Sequence, residues 1–420
     1  MRMVINPVLQ TWSNIWFQKS LTWPLEITRM GIGLAMLIHY GVATFFLHFN
    51  WGETGWLPLE LARQSPEDNT VQSVFFYLTA SWQLSLFHAV FLFCIAALMV
   101  GWRTSWVKWV VWIGHISFAY RNDYLVYGAD GILSSLLFIM CLAPIGSAMS
   151  LDRARQVRRA KLSGLTAAVP HVKTVRAFCC IRLMQIQMAI LFFFSAVFKI
   201  KEADWWSGHA VWKVFASDDY YSPLMLSLFA SQYWMVPVAT YGAVLLEVAF
   251  PFLIWQRATR PWLLIGAVCL HLLFFFFLGL VYFSFIMIMG HMSFSRPEWL
   301  KDLGAFWKRK AGGMEMIYDG NCGFCKRSMA GFLAFDGLKQ ISLRNFRSNS
   351  SPIVSDDRME KALHLVLPDG RALPGFEAYR YAVARIPGMW WMIPFFYVPV
   401  FSRLVGTPVY NWIAANRSKL

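Results

Sequence analysis

Charge is scarce in this sequence. Asp, Glu, Lys and Arg make up 15% of 420 residues, where a soluble globular chain carries about 25%. The shortfall lies in residues 1–295, which excludes an ordinary soluble domain there. Acidic side chains are the scarcer sign, leaving a formal net charge of +15. The basic residues gather in loops beside apolar runs, where they serve as topology signals and contacts to anionic lipid. Nucleic acid is therefore not an expected partner, since net charge alone is a weak sign of one. A secretory signal peptide is also missing. About 25 mixed residues precede the first apolar run and no small-residue cleavage site follows it, so that run is expected to remain as a membrane anchor. Cysteine in polar sequence is rare as well: Cys94, Cys141, Cys179, Cys180 and Cys269 stand in apolar segments, where a thiol is a small hydrophobe. Only Cys322 and Cys325 stand close together in polar sequence.

What is present is apolar: 57% of the chain is hydrophobic and 17% aromatic. Membrane spans need roughly 20 apolar residues. Runs of that kind lie at 27–48, 83–101, 105–120, 129–146, 178–200, 233–256 and 261–292. The third is short and holds Lys108. The last is too long for one span, and Gly279 with its aromatic neighbours predicts a helix followed by a second short or re-entrant piece. Residues 1–295 thus read as a polytopic α-helical membrane domain of about seven or eight spans, 296–313 as a basic linker, and 314–420 as a small α/β domain.

Lys/Arg bias in short loops sets orientation. Residues 147–177 hold Arg153, Arg155, Arg158, Arg159, Lys161, Lys173 and Arg176 against the single acid Asp152, which predicts a cytoplasmic loop. The stretch 49–82 holds Glu53, Glu60, Glu67 and Asp68 against Arg63 and is expected to face outward. Alternation puts the N-terminus inside and 201–232 outside. The side of the C-terminal domain depends on whether 261–292 crosses once or twice; Lys301, Lys308, Arg309 and Lys310 favour two passes and a cytoplasmic domain. An integral protein of the cell inner membrane is expected.

From Met314 the pattern changes. Met314–Tyr318 reads as a buried strand, Asp319-Gly320-Asn321 as a turn, Cys322–Phe335 as a helix opening at the dithiol, and Ile341–Phe346 and Ala362–Leu367 as further strands. The run Met389–Val400, broken by Pro394 and Pro399, reads as a core segment or a surface resting on the membrane. A Cys-x-x-Cys at a helix start places the first sulfur beside unpaired N–H groups and the positive dipole end, stabilising the thiolate. Cys322 is the exposed, N-terminal sulfur and thus the nucleophile; Cys325, one turn on, is the resolving thiol. Lys326 and Arg327 add positive charge. Two other readings stand beside redox use: a zinc site, which wants four ligands where one pair is present, and a pair of inert core thiols. The strand–turn–helix setting favours redox, and no metal site is expected.

This segment resembles the DCC family of thioredoxin-like proteins across roughly residues 314–417. The resemblance rests on Tyr318-Asp319-Gly320-Asn321-Cys322-Gly323-Phe324-Cys325, then Asp369-Gly370-Arg371 with Gly375-Phe376-Glu377-Ala378, then Val409-Tyr410-Asn411-Trp412 through Asn416-Arg417. It implies a thiol-disulfide oxidoreductase with Asp319, Cys322 and Cys325 as signature residues. Pro374 is the candidate for the cis-proline of thioredoxins.

Ionisable residues within spans are costly and mark function by default. Here they are Arg29, His39, His88, His115, Arg182, Lys199, Glu247 and His271. Arg29 and Lys199 lie near helix ends and can snorkel, and a lone histidine often only bonds between helices. Lys199, Glu247 and His271 fall in three consecutive spans and are expected to line one polar pocket toward the outer half of the membrane. Trp205, Trp206 and Trp212 mark an outer interfacial segment.

Residues 20–295 resemble the HTTM family, the membrane module shared with vitamin K-dependent gamma-carboxylase. The blocks are Pro24 through Gly33 with Arg29, Tyr127-Gly128-Ala129-Asp130, Ser150-Leu151-Asp152, Gln185-Ile186-Gln187, Lys199 with Ala203-Asp204-Trp205 and Gly208, and Leu246-Glu247 with His271. In the carboxylase a lysine ahead of the equivalent Asp-Trp is associated with deprotonating the reduced quinone; Lys199 matches it best, with Lys201 two residues on. The carboxylase's histidine-rich segment is replaced by Arg121 through Tyr127 and its large lumenal portion has no counterpart, so protein carboxylation is not implied. The expected function is a membrane-bound oxidoreductase acting through Cys322 and Cys325. Its partners are the bilayer, a protein thiol, and a hydrophobic redox molecule such as a quinone held near Glu247 and His271. The alternative is a membrane scaffold or maturation factor for exported peptides with a regulatory dithiol domain. Paired broken helices, the mark of a transporter, are not found in the sequence.

Overall fold

The computed structural model describes residues 7–64, 73–162, 173–296, 313–336 and 340–416, with residues 299, 302, 305 and 306 between them. The helical part comprises α1 (Trp23–Ala43), α2 (Ser81–Val100), α3 (Thr104–Arg121), α4 (Gly128–Leu142), α5 (Leu151–Leu162), α6 (Val175–Lys201), α7 (Met235–Leu253), α8 (Arg260–Phe277) and α9 (Val281–His291). Among the described residues five helices, those beginning at Trp23, Ser81, Val175, Met235 and Arg260, are long and apolar enough to cross a membrane. The exposed faces are apolar: Phe45, Leu245, Phe276 and Phe198 all stand largely open, as lipid-facing side chains do.

The run 261–292 is two helices. The chain turns at Gly279, whose φ of +66° lies in the left-handed region open to glycine, and α9 returns along α8, with the Phe274 and Phe283 rings 6.5 Å apart and His271 5.3 Å from His291. Arg260, which opens α8, and Ser293, just past α9, therefore border the same cavity. At 11 residues α9 is short for a span; a helix of that length rises only about 16 Å.

Arg29 departs from the expected snorkelling. It is fully buried. Its Nε donates to Glu26 at 3.2 Å, Nη1 to the carbonyls of Leu98 and Met99, and Nη2 to Met149 at 2.7 Å. Glu26 accepts the Ser147 and Ala148 N–H groups at 3.1 and 2.9 Å. The pair lies one turn apart near the start of α1, where two loops converge, so its guanidinium is consumed by carbonyls instead of reaching water. Lys108 is likewise tied down, donating to Ala143 at 3.0 Å.

The C-terminal domain has four strands, β1 (Met314–Tyr318), β2 (Ile341–Asn345), β3 (His364–Val366) and β4 (Ala372–Pro374), in the order β2-β1-β3-β4. β1 and β2 pair in parallel, joined by α10 (Gly323–Phe335), while β3 and β4 add antiparallel. Parallel neighbours need a crossover and the Cys322–Phe335 segment supplies it as a helix. With α11 (Gly375–Arg385) and α12 (Thr407–Asn416), this is a thioredoxin-like fold. Alternate residues Met314 and Met316 of β1 meet Phe332 and Phe335 of α10 and Ala378 and Ala382 of α11 in one core. That core continues into Trp23, Ala148, Met149 and Ala154, and α10 lies against α5. The domain is thus docked at the end of the bundle where α1 starts and the basic helix α5 lies. Met389 joins this core, but Trp390, Phe395, Val400, Phe401 and Leu404 are exposed along two short helical stretches bent by 76°.

Candidate functional site

The dithiol lies at the junction of β1 and α10. Cys322 is the N-cap of α10, with extended backbone, and its sulfur accepts the Cys325 N–H at 3.1 Å. A helix leaves its first N–H groups unpaired, and here the Cys322 sulfur satisfies one of them. Neither cysteine is joined in a disulfide in this structure. The expected exposure of Cys322 is corrected: it is 3% exposed and Cys325 9%. The sulfur is turned onto the helix end, and Tyr379 is near enough to interact electrostatically with both sulfurs. Burial pushes the Tyr379 phenol up from its ordinary range, and its oxygen accepts from the Ser328 hydroxyl at 2.9 Å. Lys326 and Arg327 are exposed.

Asp319 is buried at the turn before the dithiol. Its Oδ1 accepts the Asn321 N–H at 2.9 Å, and Arg347 reaches both carboxylate oxygens at 3.2 Å. Gly320 donates its N–H to Asn345 Oδ1 at 3.0 Å, and a Cβ at that position would run into the Asn345 amide. The motif thus clamps the loop to the end of β2. Every peptide bond among the described residues is trans, Pro374 included.

In the bundle, Lys199 and Glu247 meet as an ion pair at 2.9 Å, with Ser195 accepting from Lys199 at 2.8 Å and the Trp205 ring 5.1 Å away. His271 is placed differently, among Phe192, Phe274, Phe283 and His291. Neither ring nitrogen of His271 or His291 has a partner among the described residues.

A cavity of about 630 Å³ lies elsewhere, toward the far end of the bundle from the dithiol domain, and none of the three borders it. Tyr40, on its wall, stands seventeen residues along α1 from Trp23, about 25 Å at helical rise. The walls are mostly apolar, with His39, Tyr40, Asp130, Asn122 and Tyr282 as polar points. His39 stacks on Tyr282 at 4.1 Å. His115 Nε2 lies 3.1 Å from the Asp130 carbonyl and Nδ1 lies 2.8 Å from the Tyr40 hydroxyl. The carbonyl can only accept, so Nε2 carries the proton and Tyr40 donates to Nδ1. The Tyr282 hydroxyl and Asn122 Oδ1 are buried without a partner among the described residues. Of this set, His39 and His115 were visible as charges within spans; Tyr40 and Tyr282 gave no signal, because tyrosine is ordinary in apolar helices. Among the described residues no group of three metal-ligating side chains forms.

A helical bundle of this kind with a docked thioredoxin-like domain bearing a capped dithiol defines a membrane protein with a thiol-disulfide oxidoreductase domain. The chain matches the HTTM domain over residues 18–299 and the DCC1-like thiol-disulfide oxidoreductase over 316–420. It belongs to the HTTM family, with a DCC1-like domain following. It is similar to the Uncharacterized protein YitO of Bacillus subtilis (strain 168), 26% identical over 214 residues, 49% of this chain and 64% of that relative. The chain thus spans less than two thirds of that relative's length. No solved structure matches.

Proposed function

We propose that the chain is an integral-membrane thiol-disulfide oxidoreductase whose dithiol serves a protein partner, while the bundle cavity holds a hydrophobic molecule such as a quinone. The observation that carries the first part is the Cys322 sulfur capping the helix that also presents Cys325. The Cys322 thiolate attacks a partner disulfide, releasing one partner thiolate and forming a mixed disulfide. Cys325, as thiolate, then attacks the Cys322 sulfur and releases the second. Two electrons pass to the partner and the Cys322–Cys325 disulfide remains. Asp319 acts in this reading as a positioning residue, holding the loop through Arg347. Because Cys322 is buried, the partner must displace part of the domain's cover to reach it.

For the cavity, volume and lining suit a ring compound with polar oxygens: pockets for small molecules run about 300–1,000 Å³ and are mainly apolar with a few placed polar groups. His39 offers a stacking face, and Tyr282 and the Tyr40–His115 pair offer hydrogen bonds. Cavity and dithiol lie toward opposite ends of the bundle, so direct electron transfer between them forms no part of the proposal. The basic α5 end, and the domain docked to it, are assigned to the cytoplasm on the Lys/Arg bias; the exposed apolar run Trp390–Leu404 then rests against the same leaflet.

The burial of both sulfurs also favours a second reading, a scaffold in which the dithiol is regulatory. Trapping separates the two. With Cys325→Ser, an oxidoreductase accumulates a mixed disulfide through Cys322, and organic extraction of the purified wild type yields a quinone that His39→Leu/Tyr282→Leu loses. A Cys325→Ser chain that traps nothing leaves the scaffold.

A further inference from the structure

At the dithiol-domain end of the bundle, the segment before α1, the starts of α6 and α8, and residues 293–296 enclose a polar cavity of about 260 Å³. Three arginines border it: Arg182 of α6, Arg260 of α8, and Arg296. None of them has a carboxylate within ion-pair distance among the described residues. Arg260 instead experiences repulsion from Arg182 and Arg296, with Arg257 beyond.

Their other contacts fix position without neutralising charge. Arg182 donates to Gln185 Oε1 at 3.1 Å and lies 5.4 and 5.2 Å from the Phe178 and Trp255 rings. Arg260 donates to the Ile254 and Trp255 carbonyls at 3.0 and 3.1 Å. Gln185 in turn is held by its bond to the Ser293 carbonyl at 2.8 Å. Arg182 Nε and Arg296 Nη2 are shut off from solvent and have no acceptor among the described residues. Buried donors without partners are rare, and each asks for a missing acceptor. Three cations around one cavity, with two buried N–H groups unused among the described residues, ask for the same thing.

We propose that this cavity is a binding site for a phosphate group. A phosphate presents several oxygens and up to two negative charges, and guanidinium matches it through paired N–H···O bonds. The volume of about 260 Å³ admits a phosphate with a few waters. Arg182 lies seven residues into α6, about 10 Å from its start at helical rise, a depth that a lipid phosphate reaches from the leaflet and a soluble phosphate reaches only from the loop side. The group comes from an anionic lipid headgroup or from a soluble phosphate, and the two sources are separable.

The experiment uses the full-length chain, delipidated in detergent, with bound adducts read by native mass spectrometry and folding by the thermal midpoint. Phosphatidic acid is compared with phosphatidylcholine, and inorganic phosphate with chloride at equal ionic strength. Retention of phosphatidic acid over phosphatidylcholine assigns a lipid; stabilisation by inorganic phosphate alone assigns a soluble anion. In either case Arg182→Gln/Arg260→Gln weakens binding by at least about tenfold, the scale of one lost charge-assisted contact, while Arg257→Gln, exposed outside the cavity, does not. Should the double variant fail to fold, Arg296→Gln gives the same reading. No preference for either phosphate form, or variants that bind as the wild type does, overturns the site.

Discussion

The Cys322 sulfur accepts the backbone N–H of Cys325 at 3.1 Å, so the first thiol of the pair caps the helix that carries the second. This single contact joins local structure to chemistry. An N-cap acceptor stabilises a helix start, and the same contact holds the two sulfurs one helical turn apart, as exchange between them requires.

The loop before that cap should be intolerant of volume. Gly320→Ala drives a methyl into the Asn345 amide. The expected cost is about 1–3 kcal/mol, typical of overpacking, read by chemical denaturation of the full chain. Asn345→Ala on the same background, by clearing the space, should recover part of it.

Arg29→Met tests the loop junction. It leaves Glu26 buried without its ion pair and frees three carbonyls. Removing one member of a buried pair costs about 3–5 kcal/mol, and Arg29→Lys should rescue little, since an ammonium cannot reach three directions in a plane. A thermal midpoint unchanged by Arg29→Met would remove this pair from the stability of the bundle.

Lys199→Met separates a structural pair from a base. Glu247, 6% exposed at its side chain, is left charged and alone, and the chain should lose about 3–5 kcal/mol. Adding Glu247→Leu should restore most of that. If the restored double variant retains full activity, the pair is structural; if it is folded and inactive while Glu247→Leu alone stays active, Lys199 handles a proton.

His364 gives a pH dependence. Burial holds it below its ordinary 6.5, and its Nδ1 donates to the Ala362 carbonyl at 2.9 Å as the neutral ring. The unfolded chain therefore binds the proton first as pH falls, so this contribution is complete above about 6.5 and declines toward and through the lower folded value. The thermal midpoint should drop between pH 7.5 and 5.5, and His364→Gln should flatten that difference.

Hydropathy made the five long apolar helices legible, because burial in lipid imposes one simple rule on composition. β1 and α10 were legible because Asp319-Gly320-Asn321 breaks the chain between two apolar segments, and β2 and β3 as short apolar runs, whereas the three-residue β4 (Ala372–Pro374) gave no separate signal. Legibility ended where side chains meet across the fold. Arg347 lies 28 residues from the Asp319 it clamps. The cavity takes Tyr40 from α1, Asp130 from α4 and Tyr282 from α9, a convergence no local pattern records. Lys199 and Glu247 were readable as costly residues in neighbouring spans, and they do pair; His271 shares that cost but lies in an aromatic nest. The burial of Cys322 was hidden for the same reason, since motif spacing fixes where a sulfur is along the chain and not what folds over it.

Redox titration of the full-length chain bears most directly on the dithiol assignment. The protein is equilibrated with graded ratios of reduced to oxidised dithiothreitol or glutathione, and free thiols at Cys322 and Cys325 are counted by alkylation and mass. One two-electron transition is predicted within the thioredoxin-type window, about −270 to −120 mV, lost in Cys322→Ser and in Cys325→Ser alike. Two thiols that stay reduced at every ratio, or one zinc ion held per chain, would contradict it.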